Sequence, residues 1–266
     1  MGNDVDLVAF GPQKETNFIC RGSWASSPAL IGLEGAVIWT LDDGGEGVDD
    51  MCAGDVDGDG ITDFAVGFNG SGGIRLYDEK GKQRWSKSDG NVWHVEIVDY
   101  DGQGAMGIAH SNAGGQLTLR DAQGTVLSQA MPTAYFSGFS QCRWPGAGSE
   151  AHLLSTGENN HWILDCKGVV TAKLPAPGSG DLSTSLGTTV QFAKDGPPHF
   201  AVLTDYGIST NAAVLWVYDS KGGLVYQEVL QVRGAAVLAL HDQATGTDRL
   251  LVGGVGEVLA YTLPQQ

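Results

Sequence analysis

A turn recurs along this chain, and its recurrence limits the fold more than any other feature. "RLYDEKG", "TLRDAQG", "WILDCKG" and "WVYDSKG" each end a short apolar run with an aspartate three residues before a glycine, at Asp78, Asp121, Asp165 and Asp219. The intervals are 43, 44 and 54 residues. The last is lengthened by "LPAPGSGDLSTS", which reads as an inserted surface loop. A single offset of 46 lays "TNFICRG" and "GLEGAVIW" over "TDFAVGF" and "DEKGKQRW", so Thr16, Phe18, Gly35 and Trp39 fall on Thr62, Phe64, Gly81 and Trp85. A last copy, "RLLVGGVGEVLAYTL", stands near the end of the sequence.

Each unit reads as four strands: one before an acidic loop, then "FAVGF", then "GIRLYD", then "KQRW" after the turn. Alternation in "GIRLYD" sends Ile74 and Leu76 to one face and Arg75 and Tyr77 to the other, and no window carries a sustained helical stripe. The 40 glycines, 9 prolines and 42% hydrophobic residues suit many short strands with frequent turns. A four-stranded sheet that is apolar on both faces cannot bury them alone, but radial stacking of such sheets does so, and a period of about 43 residues fits a propeller blade. The expected fold is therefore all-β, a six-bladed β-propeller of four-stranded antiparallel blades forming a single domain over 1–266. The blades fall at roughly 3–44, 45–90, 91–132, 133–178, 179–231 and 232–266. After "EVLAYTL" three residues remain, too few for an outer strand. The last blade is then expected to be three-stranded in a closed ring, with membership of a longer propeller as the other reading.

Charge narrows the partners. Fifteen Lys and Arg against 31 Asp and Glu give a formal charge of −16. Such a surface repels phosphate backbones and anionic membranes, so no nucleic-acid partner is expected. No apolar run approaches the roughly 20 residues of a membrane helix, and membrane insertion is not expected. Cys20, Cys52, Cys142 and Cys166 have irregular spacing with no zinc pattern and read as buried thiols, although Cys20 with Cys52 and Cys142 with Cys166 are conceivable pairs. There is no nucleophile elbow and no phosphate-cradling glycine loop. His94, His110, His152, His161, His199 and His241 are scattered through different units.

One stretch is chemically distinctive. "GDVDGDGITDFAVG" places Asp55, Asp57, Asp59 and Asp63 in a D-x-D-x-D-G-x-x-D pattern. A hard cation such as calcium takes six to eight oxygens. Three alternating carboxylates, the main-chain carbonyl of Ile61 and a closing carboxylate from Asp63 can wrap one ion, while Gly58 and Gly60 permit the tight turn. An EF-hand is rejected, because a strand starts at once where that motif has a helix. The bland alternative is an Asp- and Gly-rich hairpin without an ion. Asp99 and Asp101, in "VDYDGQGAMG", keep only part of the pattern and are weaker candidates for a second ion. The acidic stretch "LDDGGEGVDD", residues 41–50, reads as a solvated linker.

This loop, the following "FAVG", the "GGIRLYDEKGKQRW" continuation and the repeat length resemble the FG-GAP family, the repeats of integrin alpha-subunit propellers and their bacterial relatives. The resemblance is specific only in the second unit. It implies that the loop joins the first two strands of a blade and binds Ca2+ through Asp55, Asp57, Asp59, Ile61 and Asp63. It also implies an extracytoplasmic setting, secreted, periplasmic or at the cell surface. The function expected is a calcium-stabilised, non-catalytic binding or adhesion module that recognises a protein or glycan through loops on one face. The alternative is a carbohydrate-active enzyme, a polysaccharide lyase or hydrolase with its site at the channel mouth. Trp39, Trp85, Trp162 and Trp216 recur in register and are expected to pack between blades, whereas Trp24, Trp93 and Trp144 stand nearer loops, where packing is favoured over stacking on sugars.

Overall fold

The computed structural model describes residues 4–10, 15–21, 27–42, 44–132, 138–179, 184–206, 212–231 and 233–262. Trp24 and Asp43 lie outside these residues. Among the described residues there are 23 strands and no helix, hence no helix long and apolar enough to cross a membrane. The first sheet is β1 (Asp4–Phe10), β2 (Glu15–Arg21), β3 (Ala29–Gly32) and β4 (Val37–Thr40). The second is β5 (Val48–Gly54), β6 (Asp63–Phe68), β7 (Gly73–Tyr77) and β8 (Gln83–Lys87), and the third β9 (Val92–Asp99), β10 (Met106–Asn112), β11 (Leu117–Arg120) and β12 (Val126–Ala130). The fourth is β13 (Ser140–Cys142), β14 (His152–Gly157), β15 (Asn160–Asp165) and β16 (Val170–Pro175). The fifth is β17 (Thr184–Val190), β18 (His199–Asp205), β19 (Ala213–Tyr218) and β20 (Leu224–Leu230). The sixth has three strands, β21 (Gly234–Asp242), β22 (Thr247–Gly254) and β23 (Glu257–Tyr261). All pairings are antiparallel between consecutive strands, the meander that the repeat predicts.

The chain divides into two compact units, Met1–Asp99 with Gly104–Ser137, and Tyr100–Gln103 with Gly138–Gln266. In the first unit, Ile19 and Leu30 pack with Met51, Phe64, Val66, Phe68 and Tyr77. Ala65, Ile74 and Leu76, from the other face of the second sheet, pack with Val92, Val95, Ile97 and Ile108 of the third. Ile74 and Leu76 thus face one neighbour and Tyr77 the other, as the alternation requires. Both faces of β6 are covered and all six of its residues are buried, whereas β8 alternates between exposed and half-buried. The sheets approach so closely that a Cβ on Gly67 would lie 2.8 Å from Val92 Cγ1. The second unit repeats the scheme, with Leu154 and Ile163 packed with Phe200, Val202 and Trp216, and Leu203, Leu215 and Val217 packed with Leu250 and Val252.

The repeated aspartates close the hairpins before the fourth strands. Asp78 Oδ1 accepts the backbone N–H of Lys80 and of Lys82, each at 2.9 Å, and Gly81 takes φ +74°, a conformation open to glycine at little cost. Asp121, Asp165 and Asp219 make the same pair of bonds. These turns also receive the recurrent tryptophans. Trp39 Nε1 donates to Glu79 O at 3.1 Å and Trp85 Nε1 to Ala122 O at 2.8 Å, so each locks the turn of the next sheet. Trp216 is fully buried, edge-on to His161 of the fourth sheet with centroids 5.6 Å apart. Trp162, at the same register one unit earlier, is half-buried against its own sheet, with Lys173 Nζ 4.3 Å from its ring and its Nε1 donating to Gly157 O at 3.2 Å. Trp144 is buried edge-on to Phe200, and Trp93 remains 39% exposed. All four cysteines are free thiols, so neither conceivable pair forms.

Candidate metal centre

The aspartate loop connects β5 to β6, the first two strands of the second sheet. Its backbone is organised by its own side chains. Asp55 Oδ1 accepts N–H groups from Gly58 at 2.8 Å and Asp59 at 3.1 Å, and its Oδ2 accepts from Gly60 at 2.8 Å. Asp59 Oδ1 accepts from Ile61 N at 2.8 Å, and Asp63 Oδ2 accepts from Val56 N at 3.3 Å. These bonds fold the loop so that Asp55, Asp57 and Asp63 each present an oxygen within 4.8 Å of the others. Two oxygens bound to one calcium at about 2.3–2.6 Å can be no more than about 4.6–5.2 Å apart, so this donor set fits a single ion. The carboxyl of Asp59 stands outside that group, with its Oδ1 engaged by the loop backbone.

A cation already serves these carboxylates. Arg84 Nη1 donates to Asp63 Oδ1 and its Nη2 to Asp57 Oδ2, both at 2.7 Å. The two acids respond differently to the same guanidinium. Asp57 is exposed, and the hydrogen bond from Arg84 holds its pKa below the ordinary carboxylate value. Asp63 is 3% exposed, and there the loss of hydration outweighs Arg84 and raises its pKa. Arg84 carries no motif of its own in "KQRW", and sequence reasoning overlooked it.

Other acids hold backbone or side-chain partners, some near in sequence and some distant. Asp99 Oδ1 accepts Gly104 N at 3.1 Å and Asp101 Oδ1 accepts Gln103 N at 2.8 Å, each capping nearby backbone. Among the described residues of the 41–50 stretch, Asp42 is exposed as a solvated linker would be, but Glu46, Asp49 and Asp50 hold fixed partners. Asp49 accepts from Asn69 Nδ2 at 3.1 Å, Asp50 Oδ2 accepts the N–H of Val95 on the third sheet at 3.0 Å, and Glu46 pairs with Arg75.

Two buried polar clusters were not legible beforehand. In the first unit, Arg120 is 5% exposed and donates through Nη2 to Asp89 Oδ2 at 2.6 Å, while His110 Nε2 lies 3.2 Å from the same oxygen. The hydrogen bond from His110, then that from Arg120, pulls the pKa of Asp89 down to about 2. In the second unit, Thr156 Oγ1 donates to Ser185 Oγ at 2.7 Å and is met by His161 Nδ1 at 2.8 Å, so Nδ1 is the donor. Ser185 Oγ in turn contacts Thr204 Oγ1 at 3.0 Å. Burial pulls the pKa of His161 to about 3, which keeps the ring neutral.

No protein-family model matches the chain, and no curated protein does. Solved structures do. The chain is similar to BBS1N in its complex with ARL6DN at a TM-score of 0.64 and 12% identity, covering 98% of this chain and 79% of that one. It is similar to the WD40 domain of Toxoplasma gondii coronin at 0.60 and 13%, covering 98% and 73%. The Vibrio cholerae (V. cholerae) biofilm matrix protein Bap1 matches at 0.57 and 14%, covering 90% of this chain and 41% of that one. Together with six consecutive antiparallel sheets and no helix among the described residues, these likenesses define the class of protein as a six-bladed β-propeller. At such identity the likeness concerns the fold alone.

Proposed function

We propose that the protein is a non-catalytic binding propeller that carries calcium in the 55–63 loop and takes a protein or glycan partner through the loops joining its strands. The observation that carries the calcium part is the convergence of Asp55, Asp57 and Asp63 within 4.8 Å. In this reading Asp59 and the carbonyl of Ile61 supply further oxygens and water the rest. The ion ties the β5–β6 connection to the base of β6 and performs no chemistry. A protein partner is supported by the fold likeness to BBS1N, which is solved in complex with ARL6DN. The FG-GAP-like loop favours a calcium-rich, extracytoplasmic setting, in which a site of moderate affinity stays filled.

Thermal melting in chelator and in millimolar calcium tests the ion. A higher melting temperature with calcium, lost in Asp63→Asn, is expected, and an unchanged melt in both would remove calcium from the account. Pull-down against candidate proteins and a glycan array test the binding role. If both are blank while a panel of polysaccharides is cleaved, the carbohydrate-active reading replaces it.

A further inference from the structure

Five of the six sheets begin the fourth strand with the same irregularity. As the ladder between third and fourth strands shifts, one residue is passed over: Ile38 in β4, Arg84 in β8, Leu127 in β12, Thr171 in β16 and Val225 in β20. The extra residue of a bulge leaves the ladder, and its side chain is re-aimed. Four of the five residues here are uncharged. The charged one stands in the sheet whose first hairpin carries the aspartate loop, and its guanidinium spans two of the three converging carboxylates. Residues 55–63 contain four aspartates and no Lys or Arg, so the neutralising charge comes from this bulge.

We propose that Arg84 is the resident counter-ion of the loop and competes with calcium for Asp57 and Asp63, so that the ion loads by displacing the guanidinium. The inference rests on the calcium reading above. Arginine suits this post because its planar fork bridges two carboxylates and its charge is permanent. Asp57 Oδ2 and Asp63 Oδ1 are then engaged by the fork, and their second oxygens accept from Asp59 N at 3.4 Å and Val56 N at 3.3 Å. A divalent ion drawn to the same carboxylates would sit within a few ångström of a like charge, well inside the Debye length at low ionic strength, so the repulsion is felt even though Arg84 and Asp57 face solvent. Calcium affinity is lowered by the cost of moving Arg84, and the loop keeps its fold when calcium is scarce.

The test is calorimetric titration of the whole chain with calcium chloride at low ionic strength, alongside melting in chelator. Arg84→Gln keeps hydrogen-bond donors without the charge. It should bind calcium about tenfold more tightly than the native protein and melt lower in chelator, with calcium restoring the loss. Arg84→Lys, which keeps the charge without the fork, should fall between them in affinity. Equal affinity in all three proteins, or weaker binding in Arg84→Gln, overturns the competition while leaving the calcium reading intact. Absence of calcium binding in every variant, with melts insensitive to the ion, removes the calcium reading and this inference with it.

Discussion

Asp165→Ala and Asp165→Asn separate two ways in which a repeated aspartate can matter, as an anion or as a hydrogen-bond acceptor. In the turn after β15 a single oxygen, Oδ1, accepts both Lys167 N at 2.9 Å and Val169 N at 2.8 Å. The remaining bonds run between backbone groups, Asp165 N to Val169 O at 2.9 Å and Gly168 N to Asp165 O at 3.0 Å. Alanine removes the acceptor and leaves two amides to water. A net hydrogen bond contributes about 0.5–1.5 kcal/mol, and exposure of this turn favours the low end, so the loss should be about 1 kcal/mol. In a chain of this size that lowers the melting temperature by about 2–4 °C. Asparagine keeps the oxygen, and the chain holds its own control. Asn112, the last residue of β10, receives Gly114 N at 3.0 Å and Gln116 N at 3.1 Å in the turn to β11 in the same geometry. Asp165→Asn should therefore cost less than about 0.5 kcal/mol. Urea unfolding of both variants at neutral pH provides the measurement. An equal loss for Asn and Ala would refute the acceptor argument, because it would mean that the charge itself is needed at that turn.

Three further outcomes follow from the buried clusters. Asp89→Ala leaves the Arg120 guanidinium buried without its carboxylate and should cost about 3 kcal/mol, most of it recovered when Arg120→Met is added, as read from a double-mutant cycle in urea. Because the pKa of Asp89 is pulled from 3.8 to about 2, its contribution is complete above the unfolded value and is lost as pH falls between them, so the native protein should lose more stability than Asp89→Ala over that interval. His161 acts in the same direction over a higher window. The unfolded chain takes up a proton near pH 6.5 that the fold refuses until about 3, so stability falls as pH drops through that range. His161→Asn, which retains a donor near the place of Nδ1, should flatten the difference between unfolding at neutral pH and at about pH 4.5.

The hairpins were readable from sequence because their chemistry is local. An aspartate, two residues and a glycine at positive φ specify the turn at Asp78 or Asp219 without reference to anything distant. Trp39 and Trp85 could be placed because the same turn waits at the same register of the next sheet. Trp162 and Trp216 show where that reasoning stops. Both stand three residues before a turn aspartate, yet one is edge-on to His161 and the other lies beside Lys173, since the partner and not the register decides the packing. The acids of the 41–50 stretch looked like a solvated run, but Asp50 reaches Val95 N across 45 residues of sequence, a pairing that only the stacking of sheets creates. Arg84 was hidden for a related reason. Simple alternation in β8 takes no account of the bulge that passes over this residue, and without the bulge nothing directs a basic side chain to Asp57 and Asp63.

The most direct test of the ion is anomalous diffraction from crystals grown with calcium. The account predicts a peak within about 2.3–2.6 Å of oxygens from Asp55, Asp57 and Asp63, with the Arg84 guanidinium withdrawn from the last two. A loop without a peak, and with Arg84 still joined to Asp57 and Asp63, would contradict it.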